Sequence, residues 1–380
     1  MERKQLFNLV NQATSEVLGK TEILKEDLTN VIDVGDELFN ANAVDNYVKE
    51  LINAIGKIIF VARPYTGRVP SVLMDNWEFG SVVEKVTFEM ADATENESWQ
   101  LENGASYDTN IFYKPKVSVK FFNKATTFEV PISITELQVK ESFNNETQLN
   151  SFVSGIYTMI ENSLMVKTDA LVMRTINNFI GETIHEGNSV RDVKLLTMYN
   201  ELNEGKEGFV ELEMAQALRD LDFLKFASYT IKTYIDMMKD MSVLFNMGGK
   251  ERHTPSDLLH VVLLSDFARA SDVYLQSDTY HKELVALPRY EVVTHWQGVG
   301  TDLRLENKSR IDIKTSEGNE VNESGIIGVM FDRDALGISQ YNRRVRSHYV
   351  EKAEFWNNWY KQDARYFNDF NENFVVFRLA

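Results

Sequence analysis

The stretch from Asn145 to Gly181 constrains the fold more than any other part of the chain. Within NETQLNSFVSGIYTMIENSLMVKTDALVMRTINNFIG, the residues Leu149, Phe152, Val153, Ile156, Ile160, Leu164, Leu171, Ile176, Phe179 and Ile180 recur mostly three or four positions apart. That period keeps apolar side chains on one side of a helix. Asn145 or Thr147 can cap its start, Glu146 suits the first turn, and Gly181 is the expected stop. No proline interrupts the stretch, and at about 1.5 Å per residue the helix reaches about 50 Å. A helix longer than a small domain is wide must act as a spine crossed by several other elements.

Composition bounds the rest. A chain of 380 residues can bury a large core, in one elaborated domain or in two or three smaller ones. The absence of cysteine excludes disulfides, thiolate nucleophiles and every cysteine-ligated metal site. A formal net charge of −17 argues against broad contact with nucleic acid, which needs a cationic face. No run reaches the roughly 18 apolar residues of a membrane span. The first residues, MERKQLFNLVNQATSEV, are amphipathic and contain acids, so they read neither as a signal nor as a transit peptide, and the chain is expected to be intracellular when made.

Along the chain, residues 1–35 carry two short helical patterns, with Gly19 between them and Thr21 as the cap of the second. From Asp36 to Ala62 the pattern is helical, and then Lys57-Ile58-Ile59-Phe60-Val61 fits either helix or strand. Pro64, Gly67 and Pro70 mark a boundary. Residues 1–62 read as an N-terminal arm, the alternative being the first helices of the main domain. Residues 71–130 have strand character at both ends (Val82, Val83, Val86, Phe88; then Val117, Val119, Phe121, Thr127, Phe128) around a polar, acidic middle that holds Trp99 and Tyr107. Two strands so joined make a long projection that buries too little to stand alone in water. It needs a neighbour, and an oligomer is the expectation.

Pro131 to Gln138 is expected to turn the chain back, with Ser133 or Thr135 capping a short helix. After the spine, residues 189–327 alternate helical and strand patterns. Glu211 to Met247 reads as one or two helices, 258–265 as a buried strand, Asp266 as the opening of a helix, and Glu291 to Thr294 as another strand. Residues 306–324 are charged and read as an exposed loop. Gly325 to Phe331 is an apolar strand, and the aromatic-rich final forty residues end in the strand Asn373 to Leu379.

Motifs that carry chemistry are thin. Leu18-Gly19-Lys20-Thr21 has the end of a phosphate loop, but Thr14 stands where its first glycine belongs, so a helix end is the plainer reading. His253 and His260 are the only histidines at a spacing worth noting, and they make no zinc signature. Asp332 and Asp334 bracket Arg333; strand-end aspartates of this kind usually bond the local backbone. Gly298-Val299-Gly300 lacks the third glycine of a dinucleotide fingerprint. The basic knot Asn342-Arg343-Arg344-Val345-Arg346 is expected to pair with acids, those of another subunit by preference. No catalytic, cofactor-binding or metal-ligating set emerges, and the reading is of a non-enzyme.

The order of elements, and the wording of several segments, resembles the HK97-fold major capsid proteins of tailed bacteriophages, and within them a group from phages of Gram-positive hosts. The resemblance rests on NAVDNYVKELINAIGKIIFVARPYTGRVPSVLMDNWEFGSVVEKV, ATENESWQLENGASYDTNIFYKPKVSVKFFNK, TFEVPISITELQVKESF, MRTINNFIGET and GVMFDRDALGI, and it covers nearly the whole chain. It implies an α+β fold: an N-terminal arm at 1–62, a linker at 63–74, an extended E-loop hairpin at 75–130 with its tip near 92–112, and a P-domain with the spine helix at 131–187. An A-domain at 188–327 and P-domain return strands at 328–380 complete it. The loops Asn246–Pro255 and Asn307–Ser324 would lie at the axial pore or the outer surface.

It implies a shell built from hexameric and pentameric capsomers that encloses double-stranded DNA without sequence-specific binding, assembled in the host bacterial cytoplasm and ending in the virion. Portal and scaffolding proteins, and decoration proteins, are the implied partners; no membrane is involved. No charged coiled coil precedes the arm, so the expectation is a separate scaffold without proteolytic maturation. Some members cross-link a loop lysine to an asparagine, and Lys114, Lys116 and Lys120 fall in that region. The alternative is an encapsulin-like compartment with the same fold around enzyme cargo, which a genomic neighbourhood would separate; a soluble enzyme with an acidic pocket ranks third.

Overall fold

The computed structural model describes residues 3–19, 25, 29–40, 43–62, 69–74, 83–91, 93, 95–96, 102–105, 110–277, 290–297 and 308–380. In chain order come helices α1 (Arg3–Leu18), α2 (Val31–Asn40) and α3 (Val44–Ala62), then strands β1 (Val83–Phe88), β2 (Val117–Phe122) and β3 (Ala125–Thr135). Next are α4 (Glu136–Ser142), α5 (Glu146–Glu186), β4 (Asp192–Lys194), α6 (Leu195–Asn203), α7 (Met214–Ala217) and α8 (Leu221–Lys239). The remainder are β5 (Leu259–Leu264), α9 (Ser265–Ser277), β6 (Glu291–Val293), β7 (Ile311–Lys314), β8 (Glu320–Glu323), β9 (Ile326–Asp332), β10 (Leu336–Val350), β11 (Phe355–Asn368) and β12 (Phe374–Arg378). The chain divides into two compact units, Met1–Glu78 with Ala125–Val172 and Ile338–Arg365, and Phe79–Lys124 with Met173–Gly337 and Tyr366–Ala380.

The first unit is built on a three-stranded sheet in the order β10-β11-β3. β3 runs unbroken through Pro131, which sits opposite Trp359 of β11. The proline's missing N–H is tolerated because β3 is an edge strand, and the reversal expected within Pro131–Gln138 comes at Thr135, one of the two expected caps. There Thr135 Oγ1 accepts from the Gln138 N–H at 3.2 Å while the Gln138 side chain accepts from the Thr135 N–H at 3.0 Å. That reciprocal pair is a capping box, and it starts α4.

Val10, Leu38, Val48, Leu51, Ile52, Ile134, Leu149, Val153, Ile160 and Trp356 share one core. Two polar contacts pin α3 to β11: Trp356 Nε1 donates to Asp45 Oδ1 at 2.6 Å and Tyr360 Oη to the Ile52 carbonyl at 3.2 Å. The helices of the first 62 residues are thus packed on their own chain, as the first helices of a main domain would be, and the ambiguous run at Lys57 to Val61 continues α3. Thr21 lies outside the described residues.

The second unit centres on a five-stranded mixed sheet, β4-β12-β9-β5-β6. β12 pairs parallel to β4 and antiparallel to β9, β9 antiparallel to β5, and β5 parallel to β6. Every residue of β9 is buried, as expected of a strand covered on both faces. Phe223, Leu224, Ile231, Phe267 and Phe377 pack in one core with Val261 and Met330. Phe179 of α5 stacks on Phe374 with ring centroids 4.0 Å apart.

α5 is longer than its periodicity predicts. Asn145 Oδ1 accepts from the Gln148 N–H at 2.8 Å and caps the start, but Gly181 does not end the helix. It is a helical residue against Ile313 of β7, and the stop falls at Gly187, whose φ of +70° suits glycine. Ile311 and Val321, buried in the β7–β8 hairpin, explain why residues 311–323 are not the loop their charges suggest.

Candidate assembly interface

β1 and β2 pair antiparallel, with Val83 opposite Phe122, Lys85 opposite Lys120, Val86 opposite Val119, and Phe88 opposite Val117. Alternation along a strand sends successive side chains to opposite faces. One face of this hairpin carries Lys85, Thr87, Ser118, Lys120 and Phe122; the other carries Val86, Phe88, Val117, Val119 and Phe121. The polar face is the one turned onto the protein. Lys85 Nζ reaches Glu372 Oε1 at 2.7 Å and Asp369 Oδ2 at 3.1 Å, and Lys120 Nζ reaches Asp369 Oδ1 at 2.8 Å. Arg252 Nε joins at 3.1 Å from the same Glu372 oxygen.

The carboxylates are dry, with side-chain exposures of 2% for Asp369 and 8% for Glu372. Burial opposes the charge on Lys85, yet the Glu372 and Asp369 carboxylates outweigh it and hold the lysine pKa above its ordinary value. Burial opposes the charge on Asp369 as well, and the bond from Lys120 and the charge of Lys85 hold its pKa below the usual carboxylate range.

The apolar face is left in solvent. Phe88 and Phe121 are each 65% exposed, and beyond β2's start Phe112 and Tyr113 are 84% and 81% exposed. This inverts the usual arrangement, in which a strand pair buries its apolar side. Contiguous exposed apolar surface of that kind marks an interaction site.

The other residues singled out by sequence fall as follows. Gly19 has φ +66° and its N–H bonds the Ser15 carbonyl at 2.9 Å, the signature of a helix end; Lys20, Thr21 and the Gly298–Gly300 run lie outside the described residues. Asp332 Oδ1 accepts from the Asp334 N–H at 2.9 Å and Oδ2 from Thr254 Oγ1 at 2.8 Å, which is the turn reading. Burial pushes the Asp332 pKa up. His260 lies on β5 beside Phe331 and His253 in the preceding loop. Among the described residues no group of three or more His, Asp or Glu is placed to hold a metal ion.

Within the basic knot the expectation of another subunit's acid is corrected at Arg344. Arg344 pairs within its own chain, through Nη1 and Nη2 to the two oxygens of Asp363 at 2.7 and 3.2 Å. The strand partner β11 brings that carboxylate alongside β10 and removes the need for another subunit's acid. Of the loop lysines, Lys120 is committed to Asp369, Lys116 lies 3.8 Å from Glu89, and Lys114 is exposed. The Asp369–Glu372 cluster was missed from sequence, because nothing local marks a turn acid as the partner of lysines 249 and 287 residues earlier.

Residues 10–378 match the Phi29-like phage major capsid protein family. Among solved structures the chain is similar to the capsid of Staphylococcus phage Andhra, with a TM-score of 0.52 at 8% identity, over 81% of this chain and 83% of that one. It is also similar to a chain in the structure of the head fiber and inner core protein gp22 of bacteriophage P68, with a TM-score of 0.49 at 8% identity, over 83% and 85%. No curated protein matches the chain. Among the described residues no helix is long and apolar enough to cross a membrane.

Proposed function

The chain belongs to the Phi29-like phage major capsid protein family, and from that membership we infer that it assembles into the hexameric and pentameric capsomers of an icosahedral shell around double-stranded DNA. Its part in the virion is structural, and no catalysis is assigned to it. The observation that carries this reading is the β1–β2 hairpin, whose apolar face (Val86, Phe88, Val117, Val119, Phe121) has no cover among the described residues. A second copy supplies the cover. Contacts that join one surface patch to a different patch on the next copy close into rings, and rings into a lattice. Many such contacts held at once give large avidity.

The β1–β2 hairpin serves as the E-loop. The expected boundaries at 130/131 and 327/328 fall inside β3 and β9, so residues 125–172 and 338–365 make the P-domain, and 173–337 with 366–380 the A-domain around the capsomer axis. α1–α3, packed in an intrachain core, belong in this reading with the P-domain side instead of forming a free arm. A net charge of −17 favours an inner wall along which packaged DNA slides. A scaffolding protein, a portal protein and decoration proteins complete the set of partners, and assembly takes place in the bacterial cytoplasm.

Electron microscopy of the chain expressed alone, and then with its neighbouring phage genes, tests the proposal. Regular shells with six- and fivefold capsomers are expected; persistent monomers under both conditions would overturn it.

A further inference from the structure

Along the hairpin the attachments to its own subunit change character. At the base, Phe122 lies 5.1 Å from Phe367 between ring centroids, an apolar contact. Two residues farther out, Lys85 and Lys120 make ion pairs with Asp369 and Glu372. Beyond a hydroxyl pair, Ser118 Oγ donating to Thr87 Oγ1 at 3.3 Å, comes a second ionic rung, Lys250 Nζ to Glu89 Oε1 at 2.7 Å. Past the base, the fastening of this face is ionic.

We propose that this cluster is an electrostatic latch: Lys85 and Lys120 clasp Asp369 and Glu372, and the clasp sets whether the hairpin's apolar face is presented to a second copy. The proposal rests on the capsid reading, since the second copy is the neighbouring subunit. Phe122 against Phe367 is the pivot and the two ionic rungs are the catch. The two acids are dry, and Asp369 alone bridges both strands, so removing its charge takes the ion pair from Lys120 and one of two from Lys85 and loosens both strands together. An apolar attachment of the same area would give way gradually, one side chain at a time.

The acid at the centre, Asp369, is faced by Lys85 from β1, by Lys120 from β2, and by the Asn371 N–H at 3.1 Å. Around it stand Glu372, Arg252 bonded to Glu372, the Asp334 carbonyl 3.4 Å from Lys85, and the buried Asp332. Both lysines lose a partner when Asp369 is neutralised, while Glu372 keeps Arg252. Asp369→Asn keeps the shape of the side chain and removes the charge.

The test is hydrogen exchange on the full, unassembled chain. In Asp369→Asn, amides of β1 and β2 are expected to exchange at least about tenfold faster, the scale of a lost charge-assisted buried bond, while β9 and β5 keep their protection. Glu89→Gln, which cuts only the outer rung, is expected to speed exchange at the hairpin's outer end alone. High salt is expected to act on the outer rung first. Unchanged exchange in β1 and β2 of an Asp369→Asn chain whose β9 remains protected would overturn the latch. Should that variant lose β9 protection too, Lys120→Met takes its place under the same criteria. Shell formation by the unaltered chain is scored separately by microscopy, so failure of the latch and failure of the capsid reading are distinguishable.

Discussion

Gly181 of α5 lies so close to Ile313 of β7 that a Cβ on the glycine would overlap the isoleucine's Cδ1. The β7–β8 hairpin is seated on α5 at a point where the helix has no side chain. Gly155, earlier in the same helix, has nothing within 4 Å of its ideal Cβ position and is exposed. The two glycines should respond to substitution with opposite signs. Gly155→Ala is expected to stabilise by about 0.5–1 kcal/mol through helix propensity. Gly181→Val is expected to destabilise by about 1–3 kcal/mol through overpacking. Urea unfolding midpoints decide both.

Thr135→Ala removes the side-chain acceptor of the capping box that starts α4. A loss of about 1 kcal/mol is expected. Thr135→Ser keeps the oxygen and should recover most of it, so the pair of variants separates the cap from the lost methyl group.

Arg378 meets Asp192 in a bidentate pair, Nε to Oδ1 and Nη2 to Oδ2 both at 2.6 Å, and Nη1 reaches Glu323 Oε2 at 3.0 Å. Both members of the Asp192 pair are buried. Asp192→Ala strands a guanidinium in the sheet's β4–β12 seam, and a loss of about 3–5 kcal/mol is expected by chemical unfolding. Arg378→Lys cannot reproduce the two-pronged fit and should also lose stability, because an ammonium is not a planar fork.

Asp363 accepts from Arg344, from Thr127 Oγ1 at 2.6 Å and from Asn342 Nδ2 at 2.6 Å. Burial opposes its charge, yet those bonds hold its pKa below the ordinary value. A carboxylate depressed on folding contributes stability above its unfolded pKa, about 3.9, and that contribution is lost as pH falls through the depressed value. Asp363→Asn is therefore expected to cost stability at neutral pH and to flatten the acid limb below about pH 4. Unfolding midpoints measured across that range check the sign.

Phe88→Ser combined with Phe121→Ser strips the two largest side chains from the exposed face of the β1–β2 hairpin. Both are mostly in solvent, so the stability of the free chain should stay within about 0.5 kcal/mol. Shell yield under native conditions should fall sharply. Full yield from the double variant would mean that this face is not buried between subunits.

Elements whose side chains announce a period were legible from sequence. The strands at Leu259, Glu291, Ile326 and Phe374, the paired strands of the hairpin, the spine and its Asn145 cap all follow from apolar spacing and local capping chemistry. What misled was context. Gly181 reads as a stop unless Ile313 is known to pack there. Residues 311–323 read as a charged loop because their few inward side chains, among them Ile311, Ile313 and Val321, are spaced among charged and polar ones.

The assembly surface was half legible. Its alternation, KVSVKFF, pointed to a hairpin in need of a neighbour, but which face turned outward could not be read. That depends on Asp369 and Glu372, which the chain brings to Lys85 and Lys120 only through the aromatic return at its far end. The reading of Arg344 failed for the same reason: its acid, Asp363, is supplied by strand pairing and not by a nearby stretch.

β12 sits between β4 and β9 in the second unit's sheet, so these two strands meet only through it. A nascent chain that has delivered β4, β5 and β9 from the ribosome still holds two disconnected sheet fragments until Phe374 to Arg378 emerge. Completion of the sheet thereby waits on β12, the last of its five strands in chain order. Products that stop before β12 lack the strand that joins β4 to the rest of the sheet, and their cores stay open.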